Sequence, residues 1–302
     1  GFSADKAVPD ADVGLLVDVD VPWFPSDVQP AAESFWAHID IDTLKPGSPM
    51  WTFPGSLRMQ GDSGRILDQV LETLKAKATP RFKEAAAARL KRIKAARDER
   101  IVRAAKLAAD HGKPGAINPH YLMAELGKLL DDEDMIFNEG VTNANAVLMQ
   151  IPRRVPNTTM RSGGGGLGWS GGIALGAKLA APSRLTVQIC GDGGFYFGNP
   201  TSVFAVAQQY KLPILTVVMD NTGWNAVKQS TLRVFPEGEA KTANEFESQL
   251  APKVHFTKVA EAFGAHAEEV SDPAEVPAAL ARAVKEVRGG RAALLHVRVT
   301  KL

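Results

Sequence analysis

Two short clusters in this chain carry oxygen ligands at a spacing that could serve one metal ion. The first is Gly191-Asp192-Gly193-Gly194 and the second is Asp220-Asn221-Thr222-Gly223. Leu185 to Cys190 is apolar and β-rich and stops at Gly191, so Asp192 is expected in a tight turn at the carboxyl end of a buried strand. Pro213 to Met219 reads as the next strand, with Asn221 and Gly223 at its carboxyl end, beside the first strand if the crossover is right-handed. Asp192, the Asn221 side chain and a carbonyl near Gly223 then give three hard oxygen ligands. That set fits Mg²⁺, which keeps its remaining positions for phosphate oxygens and water. Between the clusters, Asn199 and Pro200 read as the N-cap and first residue of a helix running to Tyr210. Free N–H groups at that helix start, with glycines such as Gly193 and Gly194 allowing close approach, suit an anionic phosphate.

A second glycine-rich stretch, Arg161-Ser-Gly-Gly-Gly-Gly-Leu-Gly-Trp169, lies upstream. Gly163-x-Gly165-x-x-Gly168 satisfies the dinucleotide-binding pattern, with Asp192 as the acidic residue that follows. Against that reading, Asp192 lies inside Gly-Asp-Gly and no clear strand runs into Gly163. A glycine turn of purely structural purpose is the other alternative.

Gly-Asp-Gly, a spacer of residues 194–219 and then Asp-Asn resembles the signature of thiamine diphosphate-dependent enzymes. The usual ending is Asn-Asn, so Asp220 departs from the pattern while the ligand Asn221 is kept. The 161–169 stretch is similar to the segment that cradles the aminopyrimidine ring in benzoylformate decarboxylases and acetolactate synthases. The resemblance implies metal ligands at Asp192, Asn221 and the Gly223 carbonyl, Leu167 as the apolar prop for a bent cofactor, and Gly165 as a backbone contact to the ring amino group. It places Gly191, Gly193, Gly194 and Trp224 beside the diphosphate, and makes Thr142 and Asn143 candidates for the same pocket. A helix cap is the competing reading of that pair. Ala226 and Ser230 would face the substrate. In benzoylformate decarboxylases a catalytic His stands in the turn corresponding to Val21-Pro-Trp-Phe-Pro25; this chain has none there, and Trp23 with Phe24 would form an apolar wall instead.

These residues need an α/β scaffold to position them. Residues 1–75 read as the second half of a central α/β domain, with strand-like runs at Asp12–Asp20, His38–Asp42 and Leu57–Asp62 and a helix from Ser63. Residues 76–112 read as a helical connector with a basic solvated face, carrying ten Lys or Arg against three Asp or Glu between Arg81 and Lys106. Residues 113–302 read as a parallel-sheet thiamine diphosphate-binding domain, with a helix after Asn118-Pro119, a strand at Met135–Gly140 and a helix of small residues from Gly168 to Ala180. Thr231 to Lys253 is polar and turn-rich, either a mobile lid or a plain surface excursion. His255 and His266 are read as structural.

Composition narrows the class. Of 302 residues 45% are hydrophobic and the formal net charge is +1, which favours neither a nucleic-acid nor a membrane partner. The single cysteine, Cys190, supports no disulfide framework and counts against a cluster-bearing 2-oxo acid:ferredoxin oxidoreductase. A cytoplasmic enzyme is expected. The resemblance implies a cofactor carbanion that adds to a carbonyl and stabilises the charge left when a neighbouring C–C bond breaks. A 2-oxo acid decarboxylase or acetolactate synthase-like carboligase leads, with a 2-hydroxyacyl-CoA or benzoin-type lyase behind it and a non-catalytic scaffold subunit as the reading from another class. In the family an activating glutamate sits on a pyrimidine-binding domain that has no counterpart here. A partner polypeptide carrying that domain, or a missing N-terminal portion, and an oligomer are therefore expected, as is a small 2-oxo acid or aldehyde substrate.

Overall fold

The computed structural model describes residues 7–45, 47, 53–161, 166–250 and 254–300. It divides into two units, Gly1–Ile93 and Lys94–Leu302.

In the first unit, β1 (Val13–Val17), β2 (Phe35–Asp40) and β3 (Leu57–Gln60) form a parallel sheet in that order. Helix α1 (Ser63–Lys77) starts at Asp62, whose carboxylate accepts the Arg65 amide at 2.9 Å. That bond satisfies one of the orphan donors of the first turn. Trp23 and Trp36 pack at 4.9 Å between ring centroids, and Phe53 meets Trp23 edge-on at 5.1 Å. With 4% exposure, Trp23 packs into this core, where the sequence reading expected it, with Phe24, to form an apolar wall of a substrate pocket. Phe24 beside it is half-buried.

The expected connector, residues 76–112, is mostly one helix, separate from the helix that starts at Ser63. Pro80 opens α2 (Pro80–Ala108), and Ala78 and Thr79 separate it from α1, because a residue preceding proline is pushed out of the helical region.

The second unit follows with the short antiparallel pair β4 (Gly112–Lys113) and β5 (Ala116–Ile117), then α3 (Pro119–Gly127), capped by the Asn118 side chain. Next come β6 (Met135–Glu139), α4 (Ala144–Gln150), β7 (Thr159–Met160) and α5 (Ser170–Ala180). They lead to β8 (Thr186–Gly191), α6 (Asp192–Phe197), α7 (Pro200–Gln209) and β9 (Leu215–Asp220). The chain ends with α8 (Asn225–Val234), α9 (Glu239–Ala243), α10 (Thr257–Glu261), β10 (His266–Val270), α11 (Val276–Arg288) and β11 (Ala293–Arg298). The larger sheet has the order β10-β11-β9-β8-β6-β7, with every pair parallel.

A parallel sheet must be covered on both faces, and its strands read as continuous apolar runs for that reason. Val187, Ile189, Val217, Met219 and Leu295 pack with residues of α3, α4 and α11, including Leu122, Val147 and Leu280. On the other face, α5 and α7 contribute Leu175 and Val203 beside Phe137, while Phe204 of α7 packs with Cys190 and Val218. From β6 the chain goes first to the edge strand β7, then returns to the opposite side of β6 as β8. The sequential order thus reverses between β6 and β8, and open α/β sheets bind ligands at the carboxyl ends of strands flanking such a point.

Two local expectations change. Asp192 opens the helix α6 and is not in a tight turn. Asn199 does precede α7, but in a left-handed conformation (φ 45°) and without a side-chain capping bond. Among the described residues, no helix is long and apolar enough to cross a membrane.

One polar group ties β11 to β9 within the sheet. Asp220, at the end of β9, pairs with His296 Nε2 at 2.7 Å and with the Arg298 guanidinium, both on β11. Arg298 Nε also reaches Glu269 on β10 at 3.1 Å. Burial alone would raise the Asp220 carboxyl, but the His296 hydrogen bond, the Thr222 amide and Arg298 outweigh it and hold it below the usual carboxylate range. Breaking a buried pair leaves uncompensated polar groups. Asp220→Ala is therefore expected to cost about 3 kcal/mol, which thermal denaturation of the second unit would show as a fall of roughly 6–12 °C.

Candidate functional site

Asp192 sits at the carboxyl end of β8 and Asn221 just past the end of β9, both buried. The Gly223 amide donates to Asp192 Oδ2 at 2.8 Å and to Asn221 Oδ1 at 3.2 Å, while the Gly193 amide donates to Asp192 Oδ1 at 2.9 Å. The three expected metal ligands therefore meet at one place, Asp192 from the start of α6 and Asn221 and Gly223 from the turn after β9. Thr222, in the middle of that turn, has φ 64°, held there by its amide bond to Asp220 Oδ1 at 2.8 Å. Val141, past the end of β6, has φ 27°. A β-branched residue at positive φ stores strain, and among the described residues these two are the β-branched cases; both lie at strand ends facing the switch point.

The segment expected to be a lid or a surface excursion closes the turn from outside. Ser248 O accepts the Trp224 amide at 2.7 Å, and the Leu250 amide donates to Thr222 O at 3.1 Å, so Gly223 and Gln249 form an antiparallel bridge. A Cβ on Gly223 would lie 2.5 Å from Ser248 O, so only glycine fits under this strap.

Between the ends of β6, β8 and β9 lies a cleft. Thr142, Asn143, Leu167, Gly191, Asp192, Gly193, Gly194, Asn221, Gly223, Trp224 and Ala226 all line it. Ser230 is exposed further along α8 and is absent from this lining. Gly165 falls outside the described residues, and Trp23 and Phe24 belong to the other unit.

The residues present fit a metal-bound diphosphate. Burial, then the neighbouring charge of Asp220, pushes the Asp192 carboxyl up to about 7. A carboxylate so disfavoured as a free anion gains most from a cation beside it. Two buried polar atoms in the cleft lack partners among the described residues, the Trp224 indole Nε1 and the Asn143 carboxamide oxygen. Buried polar groups are nearly always hydrogen-bonded, so unpaired ones at a cleft mark places where a ligand atom completes the bonding. Asn143 precedes α4, yet makes no side-chain capping bond, which sets aside the cap alternative. The Trp224 indole lies against the first cluster: a Cβ on Gly193 would approach Nε1 to 2.0 Å. Cys190 takes no part in this cleft; it is fully buried, and burial pushes its thiol well above the usual value.

Sequence reading missed the groups that support the site from other strands. Glu139, at the end of β6, is buried and lines the same cleft. His296 and Arg298 on β11 compensate Asp220, whose charge the sequence alone left open. A signal for Glu139 was available in the adjacent polar pair Asn138-Glu139 closing an apolar strand. Nothing short of strand register could have brought β11 to Asp220. The expected structural role of the other histidines fits their surroundings: His266 pairs with Glu268 at 2.7 Å, and His255 lies 3.4 Å from Glu269.

Comparison with known proteins agrees with this geometry. The family described as thiamine pyrophosphate enzyme, C-terminal TPP binding domain, matches residues 140–297. The chain is 25% identical over 263 residues to the acetolactate synthase isozyme 3 large subunit of Escherichia coli (strain K12), covering 87% of this chain and 43% of that protein. To 2-hydroxyacyl-CoA lyase 2 of Danio rerio it is 24% identical over 273 residues, covering 87% and 40%. The crystal structure of benzoylformate decarboxylase from Polynucleobacter necessarius superposes with a TM-score of 0.70 at 17% identity, over 100% of this chain and 53% of that one. The chain thus spans about half the length, or less, of the proteins it matches. With its matched segment running through both ligand clusters and over half its length, the chain belongs to the thiamine pyrophosphate enzymes and carries their C-terminal TPP binding domain.

Proposed function

We propose that this chain binds thiamine diphosphate through Mg²⁺ and serves a reaction that breaks or forms a C–C bond next to a carbonyl. A 2-oxo acid decarboxylase or an acetolactate synthase-like carboligase is the leading form. The observation that carries the reading is the convergence of Asp192, Asn221 and Gly223 on one strained turn, in the same cleft as the unpaired Trp224 indole and Asn143 carboxamide.

In this reading, Asp192, the Asn221 side chain and the Gly223 carbonyl hold Mg²⁺, a hard cation suited to oxygen donors and to sharing its sphere with a diphosphate. Gly193 and Gly194 let the diphosphate approach the backbone, and the Trp224 N–H donates to it. Leu167 gives the cofactor an apolar support. When bound, thiamine diphosphate supplies a nucleophilic carbon that adds to a carbonyl and takes up the electron pair of the bond that breaks. Ala226, small and facing the cleft, leaves room for an acyl group.

The activating glutamate belongs, in this proposal, to a pyrimidine-binding domain outside these residues, and the working enzyme is a cytoplasmic oligomer. A 2-hydroxyacyl-CoA lyase is the second reading, favoured by a match of equal extent to such a lyase. A non-catalytic scaffold is disfavoured because the oxygen donors are kept and assembled.

Calorimetric titration of the purified protein tests the binding step. Thiamine diphosphate is expected to bind with Mg²⁺ present and to lose measurable binding when EDTA removes the metal; equal binding in both conditions contradicts the metal assignment. Release of CO₂ from a panel of 2-oxo acids, with the expected partner polypeptide present, then separates decarboxylase from lyase.

A second expectation follows from Asp192. Its folded-state value of about 7 lies above the ordinary carboxylate value, so at neutral pH the ionised group opposes folding of the metal-free protein. Asp192→Asn removes that charge and keeps an acceptor for one of the Gly193 and Gly223 amides, while its N–H₂ faces the other. The two effects oppose each other, so metal-free thermal stability is expected to change little, while Mg²⁺-dependent cofactor binding is lost. A variant that loses stability and keeps cofactor binding would show Asp192 to be structural.

A further inference from the structure

Glu139 closes β6 with 3% of its surface exposed, and it lines the cofactor cleft. One carboxylate oxygen accepts the Gly168 amide; the other accepts the Ser170 amide at 3.0 Å and the Ser170 hydroxyl. All three donors are neutral, and no ion pair to Glu139 exists among the described residues. Burying a carboxylate without a counter-ion is costly, so packing alone would favour an apolar residue here. What the charge achieves is a tight hold on the carboxyl end of the 161–169 glycine stretch and on the first turn of α5.

Two further features fix this hold. Thr216 Oγ1 donates to Gln188 Oε1 at 3.0 Å, and Gln188 Nε2 donates to Ser170 Oγ at 3.0 Å. The Ser170 hydroxyl hydrogen is thereby left to point at Glu139. Thr216, Gln188, Ser170 and Glu139 are all buried, and together they join β9, β8, α5 and β6 in one directed chain. At the other side, Gly168 has φ 89°, and a Cβ there would lie 2.5 Å from the Phe197 backbone at the end of α6. Gly168 is therefore gripped between the Glu139 carboxylate and α6. The same carboxylate stands 3.4 Å from where a Cβ on Gly194 would be, so one side chain gauges the distance between Gly168 and the Gly-Asp-Gly-Gly cluster.

We infer that Glu139 is a positioning residue that seats Gly168, Trp169 and Ser170 against the Gly-Asp-Gly-Gly cluster and so sets cofactor affinity. The inference rests on the reading that the cleft takes thiamine diphosphate, and it makes a claim about sign. A bare negative charge lining a diphosphate site weakens binding, and neutralising it tightens binding. A seating carboxylate does the reverse: in Glu139→Gln a carboxamide N–H₂ must face one of the amides it used to accept, and the stretch loses its seat.

The test measures thiamine diphosphate affinity with Mg²⁺ and, on the cofactor-free protein, hydrogen–deuterium exchange of a peptide covering residues 166–172. Glu139→Gln is expected to raise the dissociation constant about tenfold and to speed exchange of the Gly168 and Ser170 amides by a similar factor. Ser170→Ala keeps the charge and removes one bond, and about a threefold rise in the same direction is expected; it also serves if Glu139→Gln does not fold. Unchanged or tighter binding in both variants overturns the inference, as does a lowered melting temperature with neither affinity nor exchange altered. If the unmodified protein binds no thiamine diphosphate, the functional reading fails, while the exchange rates still decide whether Glu139 seats the stretch.

Discussion

The Gly223 amide pointing at the Asp192 carboxylate, 2.8 Å away, joins the end of β9 to the end of β8. The site geometry depends on it. The β8–β9 ladder brings the two strand ends together as far as Gly191 and Met219, and this bond carries the link past the sheet, from the start of α6 to the turn that holds Asn221. With it, a residue with φ 64°, Thr222, is tolerated, because Asp220 inside the sheet, Asp192 across the cleft and the Ser248–Leu250 strap outside all bond to the same few backbone groups. Strain of this kind persists only where the surroundings over-determine it.

Two neighbouring carboxylates carry out different tasks because their environments differ. Asp220 meets His296, Arg298 and the Thr222 amide, and these hold it ionised as part of the sheet. Asp192 meets burial and the charge of Asp220, relieved in part by the Gly193 and Gly223 amides, and its carboxyl is pushed up to about 7. Divergent environments for paired titratable groups are a mark of functional sites. In the proposed reading they divide structural from ligand-binding work: the first carboxylate is already paired, and the second is the one a cation would complete.

Much of this could be read in the sequence, and what could not has a physical reason. The strands ending at Gly191 and near Asp220 were legible as short apolar runs stopped by glycine or polar residues, and parallel neighbours follow from the usual crossover. The conformation at Asp192 was misread because glycines disfavour helix locally; contact of the Trp224 indole with Gly193 and packing of Phe195 override that preference in α6. Trp23 was assigned by position in a family pattern, whereas its size and apolarity place it in the core of its own unit. His296 and Arg298 reach the site only through strand register, His296 opposite Val218 and Arg298 opposite Asp220, and register between strands distant in the chain leaves no local trace.

Anomalous diffraction from crystals grown with Mn²⁺ in place of Mg²⁺, together with thiamine diphosphate, tests the central claim most directly. The expected result is one peak within coordination distance of the Asp192 carboxylate, the Asn221 carboxamide oxygen and the Gly223 carbonyl, with the diphosphate on its open side and the Trp224 N–H turned toward it. A peak elsewhere, or a diphosphate bound without metal while Asp192 bonds only to the Gly193 and Gly223 amides, would contradict it.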